Sequence, residues 1–134
     1  MRFSLVYFAF SLLPLTLFAA AERIERIDVE NNERSRTATI IASSDLKIGQ
    51  EVTQQLIADT EAHIGSNPLF EKVTVKQVPG SDKNHVVIKI WVKEKMSWFI
   101  VPGLSFSDGK VSGGITGVET NLFGRFKKIA LFAD

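Results

Sequence analysis

Trp98-Phe99-Ile100-Val101-Pro102-Gly103-Leu104-Ser105-Phe106-Ser107 is a run of ten residues without a charge. That is the length a tilted β-strand needs to cross a bilayer, about 9–11 residues. With a period of two, Ile100, Leu104 and Phe106 share one face, and Gly103, Ser105 and Ser107 the other. Asp108-Gly109 follows as a two-residue hairpin signal. Val111 to Thr120 reads as a second, glycine-rich strand, and Lys127 to Ala133 as a third. Their alternation is loose, because Ile115, Val118 and Leu122 do not keep one phase. Weak patterns of this kind belong to membrane barrels and equally to soluble β-meanders, so the strands alone leave both open. Bacterial barrels start at about eight strands. Three strands therefore predict a fragment, a chain cut off partway through its barrel.

Upstream, Lys93-Glu94-Lys95 marks a shift in composition, and a small mixed domain precedes it. Ile24, Ile27 and Val29 suggest a short strand with one irregular step. Asn31-Asn32 closes it with turn chemistry. Arg34 to Ser43 is predicted as a short helix. Leu46-Lys47-Ile48-Gly49 is predicted as a loop that tucks two apolar side chains under the domain. Glu51 to Ile64 reads as a stronger helix, with Val52, Leu56, Thr60 and Ile64 at a spacing of four. Gly65 is a stop signal, and Pro68 forbids resumption. Phe70 to Val78 and Val86 to Val92 alternate as strands around Pro79-Gly80-Ser81-Asp82, which predicts a hairpin. The order is strand, helix, helix, strand, strand, an α+β class that pattern alone does not narrow further.

Arg2, the apolar stretch Leu5 to Phe18 and the triplet Ala19-Ala20-Ala21 have the layout of a secretory signal, with cleavage expected after Ala21. The competing reading is an uncleaved anchor. Pro14 and the short apolar length weigh against it. The predicted division is 1–21 signal peptide, 22–95 mixed domain, 96–134 barrel strands.

Composition removes several function classes. Sixteen Lys and Arg against 15 Asp and Glu, with no basic run, leave no electrostatic footprint for nucleic acid. There is no cysteine, hence no disulfide, thiolate nucleophile or Cys-ligated metal. His63 and His85 are the only histidines, and neither has a nearby carboxylate pair. Gly-x-Ser-x-Gly is absent. Gly113-Gly114-x-x-Gly117 lacks the spacing of a dinucleotide fingerprint. No catalytic residue, metal site or cofactor is predicted, and the chain is not read as an enzyme.

Several short motifs occur in one order. They are Asn32-Glu33-Arg34-Ser35-Arg36-Thr37, Ile40-Ile41, Leu46-Lys47-Ile48-Gly49-Gln50, Asn67-Pro68-Leu69-Phe70-Glu71-Lys72-Val73 and Val92-Lys93-Glu94-Lys95. Together they resemble a POTRA (polypeptide-transport-associated) domain, with Gln50 standing where an acidic residue is usual. Trp98, Pro102-Gly103 and Asn121-Leu122-Phe123-Gly124 are similar to the first strands of outer-membrane assembly barrels, the bacterial surface-antigen superfamily. The resemblance spans 22–134. It implies a POTRA-like β-α-α-β-β domain followed by about three antiparallel strands of an incomplete β-barrel.

The resemblance also implies a role. A periplasmic POTRA domain at the outer membrane would receive unfolded outer-membrane or secreted polypeptides and accessory assembly proteins. The route is β-augmentation, main-chain pairing at a sheet edge. The pairing segment it points to is Val73, Thr74, Val75, Lys76 and Gln77. The bland reading is a plain edge strand guarded by Lys72 and Lys76. Trp98, Phe106 and Phe123 are candidates for contact with outer-membrane lipid at its interface. Trp98 packing on the POTRA-like domain stays open beside that. Phe123 and Phe126 would sit in an aromatic girdle of a complete barrel and be exposed in a fragment. The alternative function is a stand-alone periplasmic protein-binding module without a pore.

Overall fold

His85-Val86-Val87-Ile88-Lys89-Ile90-Trp91-Val92-Lys93-Glu94 is the middle strand of the first sheet, and the domain is built around it. β-branched residues dominate the run, which suits a pleated surface buried by neighbours. The computed structural model describes residues 21–133, so the expected signal peptide and its Leu5 to Phe18 core lie outside the described residues.

The elements in chain order are β1 (Arg23–Glu30), α1 (Thr37–Ser43), α2 (Gln54–Gly65), β2 (Phe70–Pro79), β3 (His85–Glu94), β4 (Trp98–Ser107), β5 (Lys110–Leu122) and β6 (Lys127–Ala133). They form two three-stranded sheets, ordered β1-β3-β2 and β4-β5-β6. β1 runs parallel to β3, with the irregular step between Ile24 and Arg26. β2 and β3 form the expected antiparallel hairpin. Its turn closes through the Gly80 N–H on the His85 carbonyl at 2.9 Å.

Val86, Ile88, Ile90 and Val92 turn one face of β3 toward the helices and are buried. Ile24 and Ile27 from β1, Ile40 from α1, Ile64 from α2, and Phe70, Val73 and Val75 from β2 complete the core. Each such side chain contributes about 1.5–3 kcal/mol by leaving water. Thr53 starts α2, its side chain accepting the Leu56 N–H at 3.0 Å. Thr60 and Ile64 are buried on the expected face.

Two local expectations change. Leu46 is buried as predicted, but Ile48 is 64% exposed. The second helix begins at Gln54, not Glu51. Both follow from one fact: residues 49–52 lie along the outer side of β1. There the Gly49 N–H donates to the Ile24 carbonyl, the Ile24 N–H to Gln50, and the Val52 N–H to Glu22. Backbone used in that way is not free to start a helix or to fold Ile48 inward.

The second sheet is an all-antiparallel meander. Asp108 and Gly109, both at positive φ, make its tight hairpin turn. Its β4 and β6 edges are unpaired among the described residues, so it is an open barrel-like segment and not a closed barrel. No described helix is long and apolar enough to cross a membrane, which says nothing of crossing by strands.

Candidate functional site

β2 is an edge strand, bonded to β3 on one side only. The five residues Val73 to Gln77 all lie on it. N–H and C=O groups of an antiparallel strand alternate between the partner and the outside. The Val75 N–H donates to Oε2 of Glu61 on α2, at 2.8 Å, and so points away from β3. By alternation the main-chain groups of Val73 and Gln77 point the same way, and those of Thr74 and Lys76 point to β3.

The side chains divide differently. Val73 and Val75 are buried in the core, so they offer only backbone. Thr74 and Lys76 lie on the helix-free face, beside Trp91, Lys72, Lys89 and Glu30. Trp91 is half-buried on that face. Lys89 pairs with Glu30 at 2.7 Å, and Lys93 with Glu71 at 2.8 Å. The Gln77 amide reaches the Glu22 carboxylate. A groove of about 600 Å³ follows the edge between α2 and β2, lined by Ala58, Glu61, Ala62, Gly65, Lys72 and Val73 among others. A second of about 520 Å³ continues past Gln54, Ile57 and Gln77. The main chain of β2 is thus available from outside along a channel with small side chains on its far wall.

The three aromatic candidates are exposed: Trp98 at 47%, Phe106 at 75% and Phe123 at 72%. The strand register assigns the faces that sequence alternation left loose. Trp98 pairs with Glu119, Ile100 with Gly117, Leu104 with Gly113 and Phe106 with Val111. Ile115, Gly117 and Glu119 in turn face Ala133, Leu131 and Ile129. One face therefore carries Trp98, Ile100, Leu104, Phe106, Val111, Ile115, Ile129 and Leu131, with the charges Glu119 and Lys127 at the Trp98 end. The other face has Gly103, Ser105, Ser112, Gly114 and Thr116 toward the hairpin end, and Phe99, Val101, Val118, Ala130 and Phe132 beside them. There Ser105 and Ser112 hydroxyls meet at 2.6 Å, and the Phe132 ring covers Gly114. Trp98 and Phe106 stand at opposite ends of the apolar face, about 27 Å apart along the strand. Phe123 is not on this face; it lies in the β5–β6 loop at φ 57.

That loop forms a joint with the first domain, and here one expectation is corrected. Phe126 is not exposed: it packs edge-on against Phe70 with ring centroids 5.8 Å apart. The Asn121 amide is buried, donating to Ser35 Oγ at 2.9 Å while its oxygen accepts the Phe126 N–H at 3.0 Å. Gly124, at φ 71, presses on the backbone of Arg34 and Arg36, and its carbonyl accepts the Arg36 N–H at 3.0 Å. Arg34 reaches Ser97 Oγ at 2.7 Å, and Glu94 accepts the N–H groups of Arg34 and Ser35. The Ser97 hydroxyl, and after it the Asn121 N–H, hold the Glu119 carboxyl below its ordinary value of 4.5. No buried side-chain nitrogen or oxygen lacks a partner among the described residues.

Glu61, Ser35 and Asn121 were not singled out by sequence. A hint existed for the joint, since Asn and Gly three apart are turn residues. For Glu61 there was none, because its position on the polar face of α2 is that of any solvated glutamate. The two histidines keep local roles: His85 Nδ1 lies 2.8 Å from Asp82 in the β2–β3 turn, and His63 Nε2 lies 3.9 Å from Asp45.

A sequence model of the POTRA family, described as the surface antigen variable number repeat, matches residues 22–95. Among solved structures, the crystal structure of BamA from Haemophilus ducreyi lacking POTRA domains 1–3 superimposes with a TM-score of 0.67 at 16% identity. The match covers 83% of this chain and 21% of that chain. Such coverage exceeds what 22–95 alone could supply, so the shared fold extends into β4–β6. POTRA1–3 of the periplasmic domain of Omp85 from Anabaena gives a TM-score of 0.45 at 24% identity, over 55% of this chain and 34% of that one. The chain thus spans about a fifth of the first structure's length and a third of the second's. No curated protein sequence matches the chain.

Proposed function

We propose a function on one premise: the chain belongs to the POTRA family. On this reading it is a non-enzymatic component of an outer-membrane system that assembles or translocates proteins. Its first domain sits in the periplasm and takes up extended polypeptides, unfolded outer-membrane or secreted chains and accessory proteins, by adding them to the edge of β2. Its second sheet lies at the outer membrane with the face of β4–β6 that carries Trp98, Ile100, Leu104 and Phe106 toward lipid. Trp98 and Phe106 mark the ends of that face.

The observation that carries this reading is the outward-pointing main chain of Val73, Val75 and Gln77 on an unpaired edge, beside a groove walled by alanine and glycine. Main-chain pairing supplies affinity without demanding a client sequence, and the buried Val73 and Val75 side chains are not consumed by it. Lys72 and Lys76 discourage edge-to-edge pairing between copies.

The test uses the full chain and a fluorescein-labelled peptide of residues 98–107, itself a barrel-type strand. Saturable binding by fluorescence anisotropy is expected. Gln77→Pro removes an outward N–H and should weaken binding at least tenfold. Lys76→Ala, whose N–H already bonds inward, should change it little. Equal binding by Gln77→Pro and the parent would show that β2 is not the receiving edge.

A further inference from the structure

We propose that Glu61 is a latch on the β2 edge, a side chain that stands in for the backbone carbonyl of the incoming strand and must leave before that strand can pair. The inference rests on the reading of β2 as the receiving edge. It adds the residue that regulates access to it.

The argument begins from the Val75 N–H. A backbone N–H on an exposed edge needs no protein partner, because water serves. Here it has one nevertheless: Glu61 Oε2 at 2.8 Å, with the contact partly buried. Holding a glutamate in one rotamer costs side-chain entropy. A hydrogen bond to an ionised acceptor is the stronger kind and offsets that cost. The distance is that of a β-ladder N–H···O bond. The oxygen therefore occupies the place where an added strand would have to put its carbonyl, and the two cannot be there together.

The rest of the groove fits this arrangement. Ala58, Ala62 and Gly65 flank Glu61 on α2, leaving room beside it for a strand once the carboxylate swings out. Lys72 and Lys76 are on the same strand, but neither is close enough to Glu61 to form an ion pair. The carboxylate's recorded partner is thus the edge itself. Without a client, the latch fills the acceptor site and lowers the tendency of β2 to pair with another copy. With one, the client's carbonyl takes over the Val75 N–H and Glu61 is returned to water. The cost of that exchange is part of every binding event and raises the affinity a client must bring.

The experiment compares the full chain with Glu61→Ala and Glu61→Gln, reading hydrogen exchange at the Val75 amide and binding of the labelled 98–107 peptide. Glu61→Ala should lose protection at Val75 and bind the peptide on the order of threefold to tenfold more tightly, with faster association. Glu61→Gln, which keeps the length and a weaker acceptor, should fall between. It also serves if the alanine variant folds poorly. Binding unchanged or weakened in both variants, while the parent binds and Gln77→Pro does not, overturns the latch and leaves the edge reading standing. No binding by parent or variants overturns the edge reading and the latch with it.

Discussion

Replacing Gly124 with alanine should release the β5–β6 loop from the first domain. A Cβ at that position would overlap the Arg34 carbonyl oxygen and lie 2.9 Å from the Arg36 nitrogen. Both are backbone atoms, so no rotamer change relieves the contact. The positive φ of 71 costs an L-residue a further 1–2 kcal/mol or so. Withdrawal of the loop forfeits the Arg36–Gly124 hydrogen bond and the buried Asn121–Ser35 bond, about 1 kcal/mol each. It also weakens the Phe70–Phe126 pair, about 0.5–1.5 kcal/mol. The closed joint should lose roughly 3.5–5.5 kcal/mol in all, which raises its opening equilibrium by about 10² to 10⁴. Hydrogen exchange at the Arg36 amide reads this directly, because the Gly124 carbonyl is that amide's bonding partner. Gly117→Ala is the control, since nothing lies within 4 Å of its added Cβ. Exchange at Arg36 in Gly124→Ala within about threefold of the parent would refute the argument.

Thr53→Ala removes the cap of α2 and should destabilise the first domain by about 1 kcal/mol in urea unfolding, with the slope unchanged. In the β2–β3 turn, His85, and then the Asn84 N–H, hold Asp82 below its ordinary value of 3.8. The Ser81 N–H does the same for Glu25 against 4.5. A carboxyl lowered in the folded state contributes stability above its unfolded value and loses it as pH falls through the folded one. The Ser81 and Asn84 amide resonances should therefore move at a lower pH in the folded chain than in the urea-unfolded one; movement at the same pH in both, or at a higher pH in the folded chain, would contradict the assignment.

The parts legible in the sequence are those where one face decides the pattern. β3 alternates because Val86, Ile88, Ile90 and Val92 face helices. α2 shows its stripe because Thr60 and Ile64 point to the core. β4 was visible as an uncharged run with clean phase. β5 was visible as a glycine-rich strand, but its faces were not, because glycines fall on both and Ile115 and Val118 face opposite sides. Only pairing with β4 and β6 assigns them. Ile48 and Phe126 were misplaced for a shared reason. Each depends on a contact with a distant segment, the outer side of β1 for residues 49–52 and Phe70 for Phe126. The position of β2 at an edge followed from the resemblance. The partner of its Val75 N–H did not, since nothing in local pattern tells that Glu61 of α2 reaches the strand edge and is not simply solvated.

A body hung from a single thread can swivel, and Lys95-Met96-Ser97 alone would be such a thread. The end of β5 and the β5–β6 loop add separate fixings at Asn121 with Ser35, at Gly124 with Arg36 and at Phe126 with Phe70. Fixings at separate points resist rotation where a single thread does not. On the proposed reading of β2 as a receiving edge, tension on a polypeptide paired there would act as a torque on β4–β6 instead of being lost in free rotation. The direction in which that polypeptide leaves the edge would also be set relative to the second sheet.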